Sequence, residues 1–536
     1  MPLLLLIALA VVAYTVYGAF WRLYLSPIAH IPGPKVAALT LWYEFYYDVV
    51  LGGQYTFKII ELHKQYGPII RISPWEIHVG DPDYYPIWYA TSASGERRDK
   101  YSWFTKSFGL DSSVFGTWEH DLHKLRRGAL GMYFSMSNVR MLEGMVRERA
   151  CALMERFDEF KESGDVMMMS WAFAAFTNDI VMKYSFGRCD NRLEALDFDP
   201  SYRDASFFGS TASNLMKHMP WMNEVLQALP DSLASLLHPA LAEFMKQKRA
   251  SISGLQSMRL EQQCRASMNT VKQIAAIEAG KDIKDSEVAH PTIFHAILDS
   301  KLPPSEKTVS RLSDDAQVLM MAGTLTTAWT LEVIMYWLIR QPSTLQNLKQ
   351  ELRTVMPEHT TIVPLPKLEQ LPYLNAVMKE GLRLTYGVSC RLARSCPDKD
   401  MSYTDPATGK TWSIPAGTPL GMTSVQIHHN ETLFPNSKVF SPERWLTASA
   451  HDLNKYLVSF TAGARQCLGK DLAASEMYIS LSCIWRKWGS TGYREEGDEG
   501  IFELYETGLR DVEIESDHFL PIQQPGSKGI RVRCFK

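Results

Sequence analysis

Phe460-Thr461-Ala462-Gly463-Ala464-Arg465-Gln466-Cys467-Leu468-Gly469 gathers the residue types that hold a soft, anionic metal ligand. Gly463 and Gly469 permit tight turns, so amide N–H groups can approach the Cys467 sulfur. A helix beginning near Leu468 presents its positive end to the same atom and favours the thiolate. Phe460 would shield the sulfur, and Arg465 would pair with an anion beside it. These are the parts of an axial thiolate ligand on heme iron. The competing explanation is an ordinary buried cysteine in a glycine-rich turn. Against it, the five positions of FxxGxRxCxG coincide by chance in a chain of this length roughly once in ten thousand.

Positioning such a loop takes a large scaffold, and the 536 residues supply one: 46% are hydrophobic and 21% charged, which excludes a disordered or collagen-like chain. Lys plus Arg number 56 against 59 Asp plus Glu, a net charge of −3, which argues against a nucleic-acid partner. The eight cysteines contain no CxxC pair, and are too dilute for a disulfide-stapled secreted domain. Neither GxGxxG nor GxxxxGK[ST] occurs, so nucleotide cofactors are not expected on this chain.

Residues 54–66 read as a helix and Ile69 to Val79 as a hairpin. From about 118 to 350 the pattern is overwhelmingly helical, broken at prolines, with a long apolar helix over 312–340. Strand-like segments follow at 401–425, then a helix at about 470–488 and short strands at the end. The expected fold is mainly α with a minor β portion in one large domain.

Residues Leu3 to Trp21 carry no charge, and as a helix they span about 28 Å, close to the hydrocarbon thickness of a bilayer. No basic residue precedes the run and no small-x-small cleavage site follows it, unlike a signal peptide. Arg22 and Lys35 lie on its C-terminal side, with Tyr14, Tyr17, Trp21 and Tyr24 as interfacial aromatics. The expectation is an uncleaved single span whose positive flank stays cytosolic. Ile31-Pro32-Gly33-Pro34 then forms a stiff elbow. The organisation expected is a membrane anchor at 1–25, a proline-rich elbow at 26–35 and a catalytic domain at 36–536.

The cysteine loop resembles that of the cytochrome P-450 monooxygenases, and the family's other landmarks recur in order. Glu380-Gly381-Leu382-Arg383 matches ExxR, and Pro442-Glu443-Arg444-Trp445 matches the PERF/PERW segment. The resemblance implies the cytochrome P-450 fold, with heme b bound through the Cys467 thiolate. It also implies a buried structural triad of Glu380, Arg383 and Arg444, since a buried carboxylate needs such partners. Arg391, Arg465 and Arg127 look like partners of the heme propionates. So does His123, which stands where the family often has Trp and lies one turn before Arg127. Phe460 and Gly463 complete the cofactor-binding loop.

Ala322-Gly323-Thr324-Leu325-Thr326-Thr327 looks like the family's oxygen-binding motif. By that resemblance Thr326 is the catalytic residue that helps deliver protons, bonding a carbonyl one turn back, and Gly323 lets the backbone pass close to the heme. Leu325 departs from the family, which usually has Asp or Glu there, and a leucine cannot relay a proton. Trp103, Phe104, Phe108, Phe115, Phe207, Phe208 and Met216 are candidates for an apolar pocket, and residues 216–222 for a membrane-dipping segment.

HDLHKLRR, KEGLRLTYGVSCRLAR and the C-terminal segments resemble the fungal secondary-metabolism branch. That branch implies a membrane-bound monooxygenase of the endoplasmic reticulum, with its catalytic domain cytosolic. It would hydroxylate or epoxidise a small hydrophobic terpenoid, polyketide or alkaloid intermediate, using dioxygen and electrons from NADPH through NADPH–cytochrome P-450 reductase. Lys124, Arg126, Lys438 and Lys470 are candidates for the reductase dock, and membrane lipid is the other partner. The alternatives are a heme-thiolate isomerase or dehydratase that does not use dioxygen, and a non-catalytic membrane-anchored heme sensor.

Overall fold

Helices form where apolar residues recur every three or four positions, and the longest of them organise the rest of the chain. The computed structural model describes residues 2–89, 95–187, 189–247, 249, 292–448 and 450–536; the part of the expected helical region at 250–291 lies outside them. Seven helices anchor and frame the site: α1 (Pro2–Phe20), α2 (His120–Gly131), α3 (Met169–Phe186), α4 (Ser201–His218), α5 (Val309–Arg340), α6 (Pro372–Thr385) and α7 (Lys470–Lys487).

Helix α5 spans the domain. The Thr308 side chain caps it by accepting the Arg311 N–H at 3.4 Å. It packs along α3, which is buried on nearly every side, its apolar Ala172, Phe173, Phe176 and Ile180 in the core and its Thr177 and Asn178 hydrogen-bonded to α5. α5 is long and apolar enough to cross a membrane, yet more than half of it is buried in protein, as in a core helix. α1 is also long and apolar enough, but stands exposed. The main core extends from Phe157 and α3 to Trp485, Trp488 and Phe502. Trp488 stacks on Phe502 with ring centroids 4.7 Å apart. Each such ring contributes about 1.5–3 kcal/mol by leaving water.

The expected hairpin pairs Ile69–Arg71 with Ile77–Val79 in antiparallel register, Ile69 opposite Val79. It begins a five-stranded sheet that continues through Leu420–Gly421 and Arg394–Ser395 to Asp99–Lys100. In the last pairing Lys100 lies directly opposite Arg394. Val166–Met168, Arg531–Phe535, Gly500–Leu504 and Trp488–Ser490 make a second, four-stranded sheet. The elbow does not stand apart from the domain. Arg71 donates its backbone N–H to Pro32 O at 2.7 Å and its guanidinium to Arg22 O at 2.7 Å.

Two buried ion networks knit the helices to the sheets. Arg383 forks onto Glu380 at 2.8 and 3.0 Å, Arg444 donates to the same carboxylate at 3.1 Å, and Trp445 Nε1 does so at 2.9 Å. In the second, Arg391 donates to Glu76 at 2.8 and 3.0 Å and to Glu44 at 2.8 Å. Lys217, at the end of α4, bridges Glu44 (2.8 Å) and Asp48. Glu44, Asp48 and His218 are close enough to ligate a metal, but the Lys217 ammonium already occupies the cation's place.

Candidate active site

Gly463, at φ +75°, turns the chain out of the extended segment and starts a short 3₁₀ turn, Gly463–Arg465. The loop closes on itself: Cys467 N–H donates to Phe460 O at 2.9 Å, and Gln466 N–H to Gly463 O at 3.0 Å. Gly387, at φ +70°, lets the exit of α6 abut the loop, since a Cβ there would sit 2.3 Å from Ser459 O. Cys467 keeps accessible surface although protein surrounds it, so that surface faces an internal space. Burial pushes its thiol up, while the Gly469 N–H and the charges of Arg127 and Lys470 favour the thiolate. Helix α7 starts at Lys470 and adds its positive end.

Beside this sulfur lies an unusual concentration of positive charge. His123 and Arg127 project from α2 one turn apart, and Arg465 comes from the loop. Lys100 and Arg394 face each other across the sheet. Like charges directly opposite in a sheet repel. Arg465 donates to the Thr117 and Trp118 carbonyls at 2.7 and 2.6 Å, but its Nε is buried without a partner. Arg394 donates to Ala462 O at 3.0 Å, and Lys100 to Phe115 O at 2.8 Å. Burial, Arg394 and Arg127 pull the Arg465 guanidinium down to about 9, with Asp99 opposing. Burial, then Arg465, Arg127, Lys100 and Arg394, pushes the His123 imidazole down to about 2, and its Nδ1 is a buried, unpartnered atom. Burial, then Arg465, draws the Lys100 ammonium well below its usual value. The firm charges are therefore the guanidiniums of Arg127, Arg394 and Arg465 against the Asp99 carboxylate, a surplus that the two propionates of heme b would match. A cavity of about 440 Å³ between α2 and the loop is lined by His123, Arg127, Gly463, Ala464 and Gln466.

Arg391, expected beside the propionates, donates its Nε and Nη2 to Glu76 and Glu44 instead. Arg394, three residues on, lies in the cation group with Lys100. Both were missed because which arginine of the segment faces the site depends on strand pairing.

The profile of the cytochrome P450 family matches residues 32–499. The chain belongs to the cytochrome P450 family. It is similar to cytochrome P450 monooxygenase tpcC of Cochliobolus heterostrophus, 44% identical over 97% of this chain and 95% of that protein. Cytochrome P450 monooxygenase astB of Talaromyces wortmannii is 41% identical over 99% and 98%. Tryptophan 6-hydroxylase fscE of Fusarium equiseti is 38% identical over 96% and 93%. The protein is thus an oxidoreductase of the monooxygenase type whose cofactor is heme b on a cysteine thiolate.

On α5 of this P450, Thr326 is half-buried and donates its hydroxyl to Ala322 O at 2.7 Å. Its neighbours face elsewhere. Thr324 turns toward α3, accepting from Asn178 Nδ2 at 3.0 Å, while Thr177 donates to the Thr324 carbonyl at 2.9 Å. Gly323 also faces α3: a Cβ there would sit 2.9 Å from Val181. Its smallness serves helix packing, which corrects the expectation that it faces the heme. Leu325 is buried.

Of the aromatic candidates, Phe104, Phe108 and Phe115 gather around Phe519, with centroids 6.3, 4.9 and 5.8 Å from it. Phe519 is the missed member. It sits at the tip of the hairpin Ser516–His518/Leu520–Ile522 with φ +72°. Trp103 packs on His218 instead, and Phe208 stacks on His238 in a separate cluster. Arg126 is committed to Glu306 at 2.7 Å in a largely buried pair, which removes it from the candidate dock. Lys124, Lys438 and Lys470 remain exposed.

Proposed function

We propose that this P450 is a membrane-anchored monooxygenase that hydroxylates or epoxidises a small hydrophobic secondary-metabolite intermediate of terpenoid, polyketide or alkaloid type. The observation that carries it is the pairing of a thiol under an amide donor with a cation set short of anions. Cys467 is the axial ligand. Lys100, His123, Arg127, Arg394 and Arg465 would hold the two propionates. Heme b, when bound, supplies the reductive activation of dioxygen and transfer of one oxygen atom to carbon.

The chain's own part is to bind, orient and ration protons. Amide donation from Gly469 and the start of α7 stabilise the thiolate. The Thr326 hydroxyl, parked on Ala322 O, turns away from α3, unlike that of Thr324, and it passes protons supplied by water. Leu325 offers no proton, which leaves water as the source for that step. The half-buried rings of Phe104, Phe108, Phe115 and Phe519 receive an apolar substrate.

Electrons come from NADPH–cytochrome P450 reductase, docking near Lys124 and Lys470. α1 spans the endoplasmic reticulum membrane once, with residues 36–536 as the cytosolic catalytic domain. The exposed Trp42, Tyr46, Trp221, Leu236 and Leu237 support contact of the domain with lipid.

The test is the absorption spectrum of the purified protein, reduced and exposed to carbon monoxide. A strongly red-shifted Soret band, followed by NADPH-dependent oxygen insertion with added reductase, is expected. An unshifted band in folded, heme-loaded protein overturns the thiolate assignment.

A further inference from the structure

The triad around Glu380 and the Cys467 loop are separate constructions in sequence, and a buried imidazole bonds to both. His428, fully buried, closes the short helix Ser424–His428. Its Nδ1 bonds the Arg383 main-chain carbonyl at 2.8 Å. Arg383 returns the contact, donating its guanidinium to the His428 carbonyl at 2.8 Å. On the far side of the ring, Nε2 accepts the Val458 N–H at 3.0 Å, and the Tyr456 carbonyl lies beside the same ring. This bonding assigns the neutral tautomer with its proton on Nδ1. Burial and the Arg383 charge hold the ring's pKa down to about 3, in keeping with that form.

Val458 begins the run that shapes the thiolate site. Its carbonyl accepts the Thr461 N–H at 2.8 Å, Ser459 Oγ donates to Leu382 O at 2.8 Å, and the Phe460 carbonyl accepts the Cys467 N–H at 2.9 Å. The chain of contacts therefore runs from Glu380 and Arg383 through one ring to Val458, Phe460 and Cys467. We infer that His428 is a positioning residue for the thiolate: it transmits the rigidity of the Glu380–Arg383–Arg444 triad to the loop and sets the height of the Cys467 sulfur. The inference rests on Cys467 being the axial ligand.

Two near-isosteric variants separate the two ends of the bridge. In His428→Gln the amide oxygen reaches the Nε2 position and keeps the Val458 bond. In His428→Asn the amide sits at the Nδ1 position, keeping the Arg383 bond and losing the loop. The full-length protein is reduced with carbon monoxide, and heme transfer to apomyoglobin and thermal unfolding are followed alongside. The Gln variant is expected to keep most of the red-shifted Soret band. The Asn variant is expected to convert most of it to the unshifted, protonated-thiol form and to release heme about tenfold faster, at similar melting temperature. Equal spectra and release rates in the two variants overturn the inference, as does loss of the band in both in proportion to lost melting temperature. Absence of the red-shifted band in the unaltered protein is a different failure, that of the thiolate assignment itself.

Discussion

Arg391 and Arg394 are three residues apart and both buried, yet they belong to opposite kinds of surroundings. Around Arg391 the partners are carboxylates: its Nε and Nη2 donate to Glu76 and Glu44, and Lys217 bridges Glu44 and Asp48. Around Arg394 the neighbours are Lys100, Arg127 and Arg465, the available acceptors are mostly backbone carbonyls, and two polar atoms have no partner. A network of paired opposite charges is a scaffold, because its bonds are made on folding. A network short of anions is a binding site, because its bonds are completed by something else.

The largest effect that tests this difference is the loss of the ligand itself. Cys467→Ala should abolish the red-shifted carbon monoxide band and all product formation, while the two ion networks, and hence the cooperativity of unfolding, persist. A retained band would move the ligand to another residue.

Exchanging the two arginines for leucine should then give crossed outcomes. Arg391→Leu strands Glu76 and Glu44 and should cost about 3–5 kcal/mol of stability, with heme affinity of the surviving folded protein little changed. Arg394→Leu should lower heme affinity about 10–100-fold, while the heme-free protein loses far less stability than with Arg391→Leu, since Arg394 donates to Ala462 O and Thr461 Oγ1 and strands no carboxylate. Denaturation and heme titration of both variants decide it, and parallel losses in the two would erase the distinction.

Thr326→Ala leaves both clusters intact and should act on proton delivery alone. NADPH consumption continues, hydrogen peroxide is released, and product per NADPH drops about tenfold or more. Unchanged coupling would remove Thr326 from this role.

The smallest expected effect is that of pH. His428 and His429 are driven by burial, then Arg383, to about 3 and 4, and His63 by burial to about 4. These pKa values lie below that of the unfolded chain, so the unfolded state binds protons first as pH falls. Their contribution is intact above about pH 6.5 and is lost on acidification, by about 1.4 kcal/mol per pH unit for each ring. Asp48 works the other way: burial, against Lys217, raises it to about 6, so it favours the folded state on acidification between about pH 6 and 4. Asp315 and Glu332, raised by burial to about 6 and about 8, and Glu476, raised well above its usual value, side with Asp48. His218, lowered to about 4, and His78 and His518, also lowered, side with the three rings. The imidazoles are the larger group, and melting temperature should fall from pH 7 to pH 5.

The cysteine loop was legible as a short motif, α5 as a long apolar run, and the Glu380 triad through the resemblance that ExxR and PERW carry. The helical class and the Ile69–Val79 hairpin followed from period alone. What stayed hidden depends on partners distant in the chain. Arg394 is distinguished from Arg391 by pairing with Lys100, and Gly323 by lying against Val181. Phe519 reaches its ring cluster only because Ser389 donates to its carbonyl and Asp517 accepts its N–H at 3.0 Å, an arrangement no local pattern announces.

Lys100 set across from Arg394 has a consequence for the life of the protein in the cell. A buried lysine set against an arginine in a sheet, its ammonium driven well below its usual range, makes the chain without its prosthetic group a poorer substrate for folding and a better one for degradation. Because the group binds the native state alone, its supply sets how many newly made chains survive. The amount of enzyme that accumulates becomes a gauge of porphyrin availability, and overexpression without added precursor should yield mainly proteolysed or aggregated chain.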